Sequence, residues 1–224
     1  METTVPDTPC TADNQDAALL TNIGFIGQVL SVFFLFDPQQ STAHEAYDAL
    51  ETLDVQEAAA GWPFVDETYA QECLALMKDS LKGGKQSIGD EYRRLFVGPF
   101  KKAAPLWGSV YTDKYCSVFG ESTLALLDWM QTNGIQRMCE GEADPDDHFG
   151  VLLAMLPMLV SQKPELVKEF LQEHVLTWSS HFLDAILRET TQPFFIGLAR
   201  LTKASLERAQ DALSIKVTYP AFCR

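Results

Sequence analysis

The first 77 residues of this 224-residue chain contain no lysine or arginine, although they hold 13 of its 31 acidic residues. Nucleic acid is bound through a basic face that neutralises phosphates, and this third of the chain offers none. The same absence removes the basic segment that opens a secretory signal, so the apolar run from Ala17 to Phe36 lacks the flank it would need. Asn22, Gln28, Ser31, Gly24 and Gly27 interrupt that run, and Asp37-Pro38 ends it, because proline disfavours helical geometry in the residue before it. A buried helix is predicted there, with no stable insertion into a membrane.

Cysteine is scarce as well. The five, at positions 10, 73, 116, 139 and 223, are odd in number, widely spaced and without a C-x-x-C pair, which implies neither a disulfide framework nor a zinc site. A reducing cytoplasm is the compartment expected. Missing too are the G-x-S-x-G elbow and the Rossmann glycine fingerprint. Gly83-Gly84-Lys85-Gln86-Ser87 has the ending of a phosphate loop, but Asp79 stands where its first glycine belongs and no strand precedes it. His174 and His181 lie seven apart, without the i, i+4 spacing or the further ligands of a metal site. No metal and no cofactor are expected.

What is present is helical periodicity. Tyr69, Cys73, Leu76 and Met77 repeat at helical spacing behind Asp66, and Ile88, Tyr92, Leu95 and Phe96 do so after the Gly83-Gly84 break. Leu126, Trp129 and Met130 mark another helix, stopped by Asn133-Gly134. Val151 to Val160 is apolar on every side, so other helices must wrap it, and the segment from Asp146 to Val160 is the predicted centre of the fold, with Pro157 inside it. Further helices are predicted from Pro164 to about His174, from Trp178 to Leu187 and from Pro193, before an extended tail at Ile215–Tyr219. With no repeat and no strand-rich block, the chain is expected to be all-α: an acidic leader over 1–16, then one helical bundle domain over 17–224 with a central buried helix. The concentrated negative charge suits either a cationic partner or plain solubility.

Two stretches fall outside this pattern. One is a loop dense in aromatics, Gly and Pro, from Leu95-Phe96-Val97-Gly98-Pro99-Phe100 to Pro105-Leu106-Trp107-Gly108-Ser109-Val110-Tyr111. Loops run mostly over the outside of a domain, so apolar side chains here imply a surface shaped to hold something, while Trp107 and Phe96 would serve equally well as core beneath the loop. The other is Asp144-Pro145-Asp146-Asp147-His148. As structure, Asp144 makes an N-cap, Pro145 a first helical residue, and Asp146 and Asp147 complement the helix dipole. As chemistry, carboxylates beside an imidazole can bind a cation, receive a guanidinium, or act as acid and base.

Taken with Phe119-Gly120-Glu121-Ser122-Thr123-Leu124-Ala125-Leu126, and with Glu91-Tyr92-Arg93-Arg94 leading into the loop, the two stretches resemble in order and spacing the TorD/DmsD family of redox-enzyme maturation proteins. The likeness is nearest to the dimethyl sulfoxide reductase chaperone branch and runs from about the first helix to Phe222. It implies a cytoplasmic binding protein rather than an enzyme. Its partner would be the twin-arginine leader of a molybdopterin-containing reductase catalytic subunit, held in its apo form until its cofactor is inserted, with components of the translocase as further partners. The protein would be a monomer or a helix-swapped dimer. Carried over residue by residue, the leader-binding set is Tyr92, Leu95, Phe96, Phe100, Trp107, Tyr111, Gly120, Pro145, Asp147 and His148. Two other readings compete: a maturation factor acting on the folded client body or delivering cofactor or metal, and a hydrolase using Asp147 and His148.

Overall fold

The computed structural model describes residues 12–99, 102–136 and 145–223. Its long helices follow the sequence periodicity closely. Helix α1 (Ala12–Leu35) buries Ile23, Ile26, Leu30, Phe33 and Phe34, which recur at helical spacing along one side. The helix is long and apolar enough to cross a membrane, but 44% of its most apolar stretch is buried within the protein. Residues 12–16, assigned above to the acidic leader, are already helical, and the rest of that leader lies outside the described residues.

Two short helices follow that the periodicity does not announce, α2 (His44–Thr52) and α3 (Val55–Ala60). Each sends few side chains inward, Tyr47 and Leu50 from α2 and Ala59 from α3. Asp54 makes the turn between them self-sufficient by accepting hydrogen bonds from the N–H groups of Gln56 and Glu57 at the start of α3. Asp66 caps α4 (Glu67–Leu81) in the same way, through Thr68 and Tyr69. Helix α5 (Lys85–Tyr92) continues as a π-helical turn over Arg93–Val97, which rotates Leu95 and Phe96 into the interior.

Beyond the aromatic loop come α6 (Ser109–Thr112), α7 (Glu121–Thr132), α8 (Phe149–Gln162), α9 (Val167–Phe170) with a π-helical turn over Leu171–Val175, α10 (Ser179–Glu189) and α11 (Pro193–Ala212). The helix α8 is the centre of the fold: Phe149, Leu152, Leu153, Met155, Leu156 and Leu159 have no exposed surface. It lies along α1, and α4 lies along α11. Glycine makes both approaches close. A Cβ on Gly27 would stand 2.6 Å from the Leu153 carbonyl oxygen, and one on Gly197 2.5 Å from that of Cys73. Pro157, inside α8, lacks the N–H that would otherwise bond the Leu153 carbonyl. No β-strand forms among the described residues.

Two expectations need correction here. The helix α8 starts at Phe149, so Pro145 is not its first residue, and Asp146 and Asp147 sit in a turn before it rather than in its first turn. Asp144 lies outside the described residues. The cysteines also differ from expectation, since Cys116 and Cys223 form a disulfide, with Cα atoms 5.7 Å apart across 107 residues of sequence. Composition could not reveal this pair, because the tail beyond α11 folds back on α6: the Cys223 N–H donates to the Tyr111 carbonyl at 2.8 Å and Phe222 stacks on His181 at 4.2 Å. Cys73 is a buried free thiol, pushed up to about 11 by burial, and Cys10 and Cys139 lie outside the described residues.

Candidate functional site

The two unusual sequence stretches meet in space. Trp107 and His148 form an isolated antiparallel bridge, the Gly108 N–H donates to the Asp147 carbonyl at 3.2 Å, and the Phe149 N–H donates to the Leu106 carbonyl at 2.7 Å. The end of the aromatic loop is thus stitched along the turn that enters α8. Asp147 then reaches across: its Oδ2 accepts from the Ser109 N–H at 2.7 Å, holding the start of α6, and from the Ser122 hydroxyl of α7 at 3.5 Å. Three elements converge on this one carboxylate.

Asp147 is 3% exposed, and its other oxygen, Oδ1, is buried without a hydrogen-bond partner. Burial pushes its carboxyl above the ordinary value, while the Ser109 N–H and the nearby Ser109 and Thr123 hydroxyls pull it back. Two neighbouring groups are also left wanting: Trp107 Nε1 and His148 Nδ1 are buried and unpartnered. Burial, assisted by the Lys102 ammonium, lowers the His148 imidazole to about 4, so it is neutral at pH 7. Lys102 itself lies over the Trp107 ring, 3.9 Å from its centre. The imidazole Nδ1 makes no hydrogen bond to Asp147, so the two do not form the hydrogen-bonded pair that a general acid–base centre would use.

Beside Asp147 opens a cleft of about 120 Å³, lined by Ser122, Ala125 and Leu126 of α7 and by Glu173, His174, Thr177 and Trp178 around the π-helical turn after α9. Two carboxylates face it, and no lysine or arginine lines it. His174, packed against Trp129 at 5.2 Å, is lowered to about 4 by burial, with Glu173 opposing. This wall was not legible in the sequence, since Glu173 and His174 come from a distant helix.

The sequence-derived set divides. Tyr92, Leu95, Phe96 and Tyr111 are core residues: Tyr92 donates its hydroxyl to the Phe34 carbonyl at 2.8 Å, Phe96 packs on Tyr92, Phe182 and Phe195, and Tyr111 stacks on Trp178 while donating to the Pro105 carbonyl. Trp107 is 8% exposed. The expected open groove of aromatics gives way to its alternative, core beneath the loop, because the π-helical turn swings Leu95 and Phe96 inward. Phe100 lies outside the described residues. Gly120 is pressed against Asp113, 2.7 Å from where its Cβ would stand. Pro145, Asp147 and His148 stand at the convergence. Apolar side chains do reach solvent nearby, on the segment that leads into α7 and on its first turn: Tyr115, Val118, Phe119 and Leu124 are 76%, 41%, 52% and 62% exposed.

Comparison with known proteins agrees with the resemblance drawn from the two stretches. Residues 65–184 match the family model described as nitrate reductase delta subunit. Over 205 residues the chain is 32% identical to the probable Tat proofreading chaperone DmsD of Haemophilus influenzae, covering 92% of this chain and 98% of that protein. It belongs to the TorD/DmsD family. Within that family it is also 33% identical to the Tat proofreading chaperone DmsD of Salmonella typhimurium, over 85% of this chain and 90% of that one. The chaperone protein TorD of Shewanella piezotolerans is 26% identical, over 80% and 86%. The family-model match over residues 65–184 includes both stretches that converge on Asp147.

Proposed function

We propose that this protein is a cytoplasmic chaperone that binds the twin-arginine signal peptide of a molybdopterin-containing reductase catalytic subunit and withholds that subunit from export until its cofactor is in place. Relatives named as proofreading chaperones support the class of function. The observation that carries the site is the buried Asp147 carboxylate, with one oxygen unpartnered, beside a small cleft that Glu173 also lines. A guanidinium entering there meets planar acceptors of the kind it pairs with through two hydrogen bonds.

The apolar stretch that follows the arginines needs an apolar surface, and the exposed Tyr115, Val118, Phe119 and Leu124 supply one on the adjoining segment and the start of α7. Trp107 and His148 flank the corner, and Tyr92, Leu95, Phe96 and Tyr111 hold it rigid from behind. Burying one large apolar side chain contributes roughly 1.5–3 kcal/mol, against about 0.2–1 for an exposed ion pair. Apolar contacts therefore set most of the affinity and the corner sets the register.

Calorimetric titration with the twin-arginine leader of a reductase encoded beside this protein, against the same leader carrying two lysines, tests the reading. Tighter binding of the arginine form, weakening with salt, is expected. Equal affinity for both would remove the guanidinium from the recognition.

A further inference from the structure

On the α1–α4 side the molecule carries a second, larger concavity that shares no lining residue with the Asp147 cleft. It encloses about 810 Å³ and is walled by Phe25, Val29 and Val32 of α1 against Ala46 and Ala49 of α2 and Ala58 of α3. Large side chains on α1 face alanines on α2 and α3, so the space between the backbones is left unfilled. Phe25, at its edge, is 42% exposed and meets Trp62 edge-on at 5.7 Å. Apolar surface of this extent, open to water, costs free energy unless something covers it.

The charge around it limits what that can be. From α1 through α3 there is no lysine or arginine. Glu45 lines the mouth and makes no ion pair with any described residue. Of the basic side chains that follow, Lys78 is anchored by donating to the Leu53 carbonyl at 2.6 Å, outside the lining itself, and Lys85 is paired with Asp48. A second copy of this chain would bring the same acidic face, and the residues preceding α1 are themselves acidic and polar. A cationic partner meets no such repulsion.

We infer that this groove is a second docking site, which receives an amphipathic helix of a partner protein: its apolar side rests on Phe25, Val29 and Trp62, and a lysine or arginine of the helix meets Glu45 at the rim. Such helix-in-groove recognition reads apolar side chains at helical spacing and gains specificity from charge at the edge. The groove and the Asp147 corner can then be occupied at once, so a client can be held by two separate segments, with the avidity that linkage provides.

The test uses the full chain and two labelled synthetic peptides of about 14 residues, roughly 21 Å of helix, with one leucine face and polar faces of lysine or of glutamate. By fluorescence anisotropy the lysine peptide should bind at least about tenfold tighter than the glutamate peptide, and less tightly as salt rises. Ala49→Arg, at an exposed position, should weaken the lysine peptide about tenfold or more and leave circular dichroism unchanged, and Glu45→Lys should act in the same direction. Undiminished binding to Ala49→Arg would overturn the inference, as would competition between the lysine peptide and a twin-arginine leader for one site. A concentration-dependent dimer dispersed by Ala49→Arg would overturn it in favour of self-association. Leader binding that survives Ala49→Arg keeps this outcome distinct from that of the Asp147 corner.

Discussion

Replacing Asp147 by asparagine separates the binding role of that carboxylate from its structural one. Asparagine keeps an oxygen able to accept from the Ser109 N–H, now 2.7 Å away, and loses the charge. A hydrogen bond to a charged acceptor contributes about 1.5–3 kcal/mol and one to a neutral acceptor about 0.5–1.5, so the substitution forfeits roughly 1 kcal/mol. Against that stands the relief of no longer burying a carboxylate whose pKa burial has raised. The two nearly cancel, and the melting temperature should move by no more than about 2–4 °C in a domain of this size. Leader affinity has no such compensation: a desolvated guanidinium left without its carboxylate costs about 2 kcal/mol or more, roughly thirtyfold. Asp147→Ala should behave differently, losing affinity and also stability, because the Ser109 N–H is then buried unpaired at a cost of about 1–3 kcal/mol. Calorimetric titration and thermal melts on both variants read the two effects separately. A folded Asp147→Asn protein that binds leader as tightly as the parent refutes the assignment of this carboxylate to the arginines.

Gly27→Ala should destabilise the protein by about 1–3 kcal/mol, since the new methyl meets the backbone of α8, whereas Gly24→Ala, whose nearest neighbour would stand at an ordinary 3.5 Å, should be neutral or mildly stabilising; thermal melts of the pair decide. Alkylation of the unreduced, denatured protein should label Cys73 and spare Cys116 and Cys223, which become labelled only after reduction, as read by peptide mapping. His148 and His174 are both held near 4, below the unfolded value of about 6.5, so the unfolded chain takes up protons first; stability should fall as pH drops from about 6.5 towards 4, and His174→Gln should flatten that slope in pH-dependent melts.

Most of the fold was legible because most of its helices bury a continuous side. The spacing of Ile88, Tyr92, Leu95 and Phe96, the cap at Asp66, the stop at Asn133-Gly134 and the all-apolar run from Phe149 each act within a few residues of sequence. Helices α2 and α3 were not legible, because they bury only three side chains between them and rest on their neighbours for stability. The same limit governed the site. Order and spacing identified the family and tied the aromatic loop to the Asp-Asp-His turn, yet whether Leu95 or Phe96 faced solvent depended on a π-helical turn that no periodicity announces.

Sequence by itself determined that this chain is a bundle of helices around one apolar segment, with its negative charge gathered at one end and two irregular stretches that mark its family. Those properties are local or additive, and a linear pattern carries them. Only the tertiary structure decided that Asp147 would be pinned between α6 and α7 with an oxygen to spare, that Glu173 would join it, that Cys223 would reach Cys116, and that alanines on α2 and α3 would leave a groove against α1. Each of these depends on which residues, far apart in the chain, come within a few ångströms of one another, and burial then sets what their charges and bonds can do.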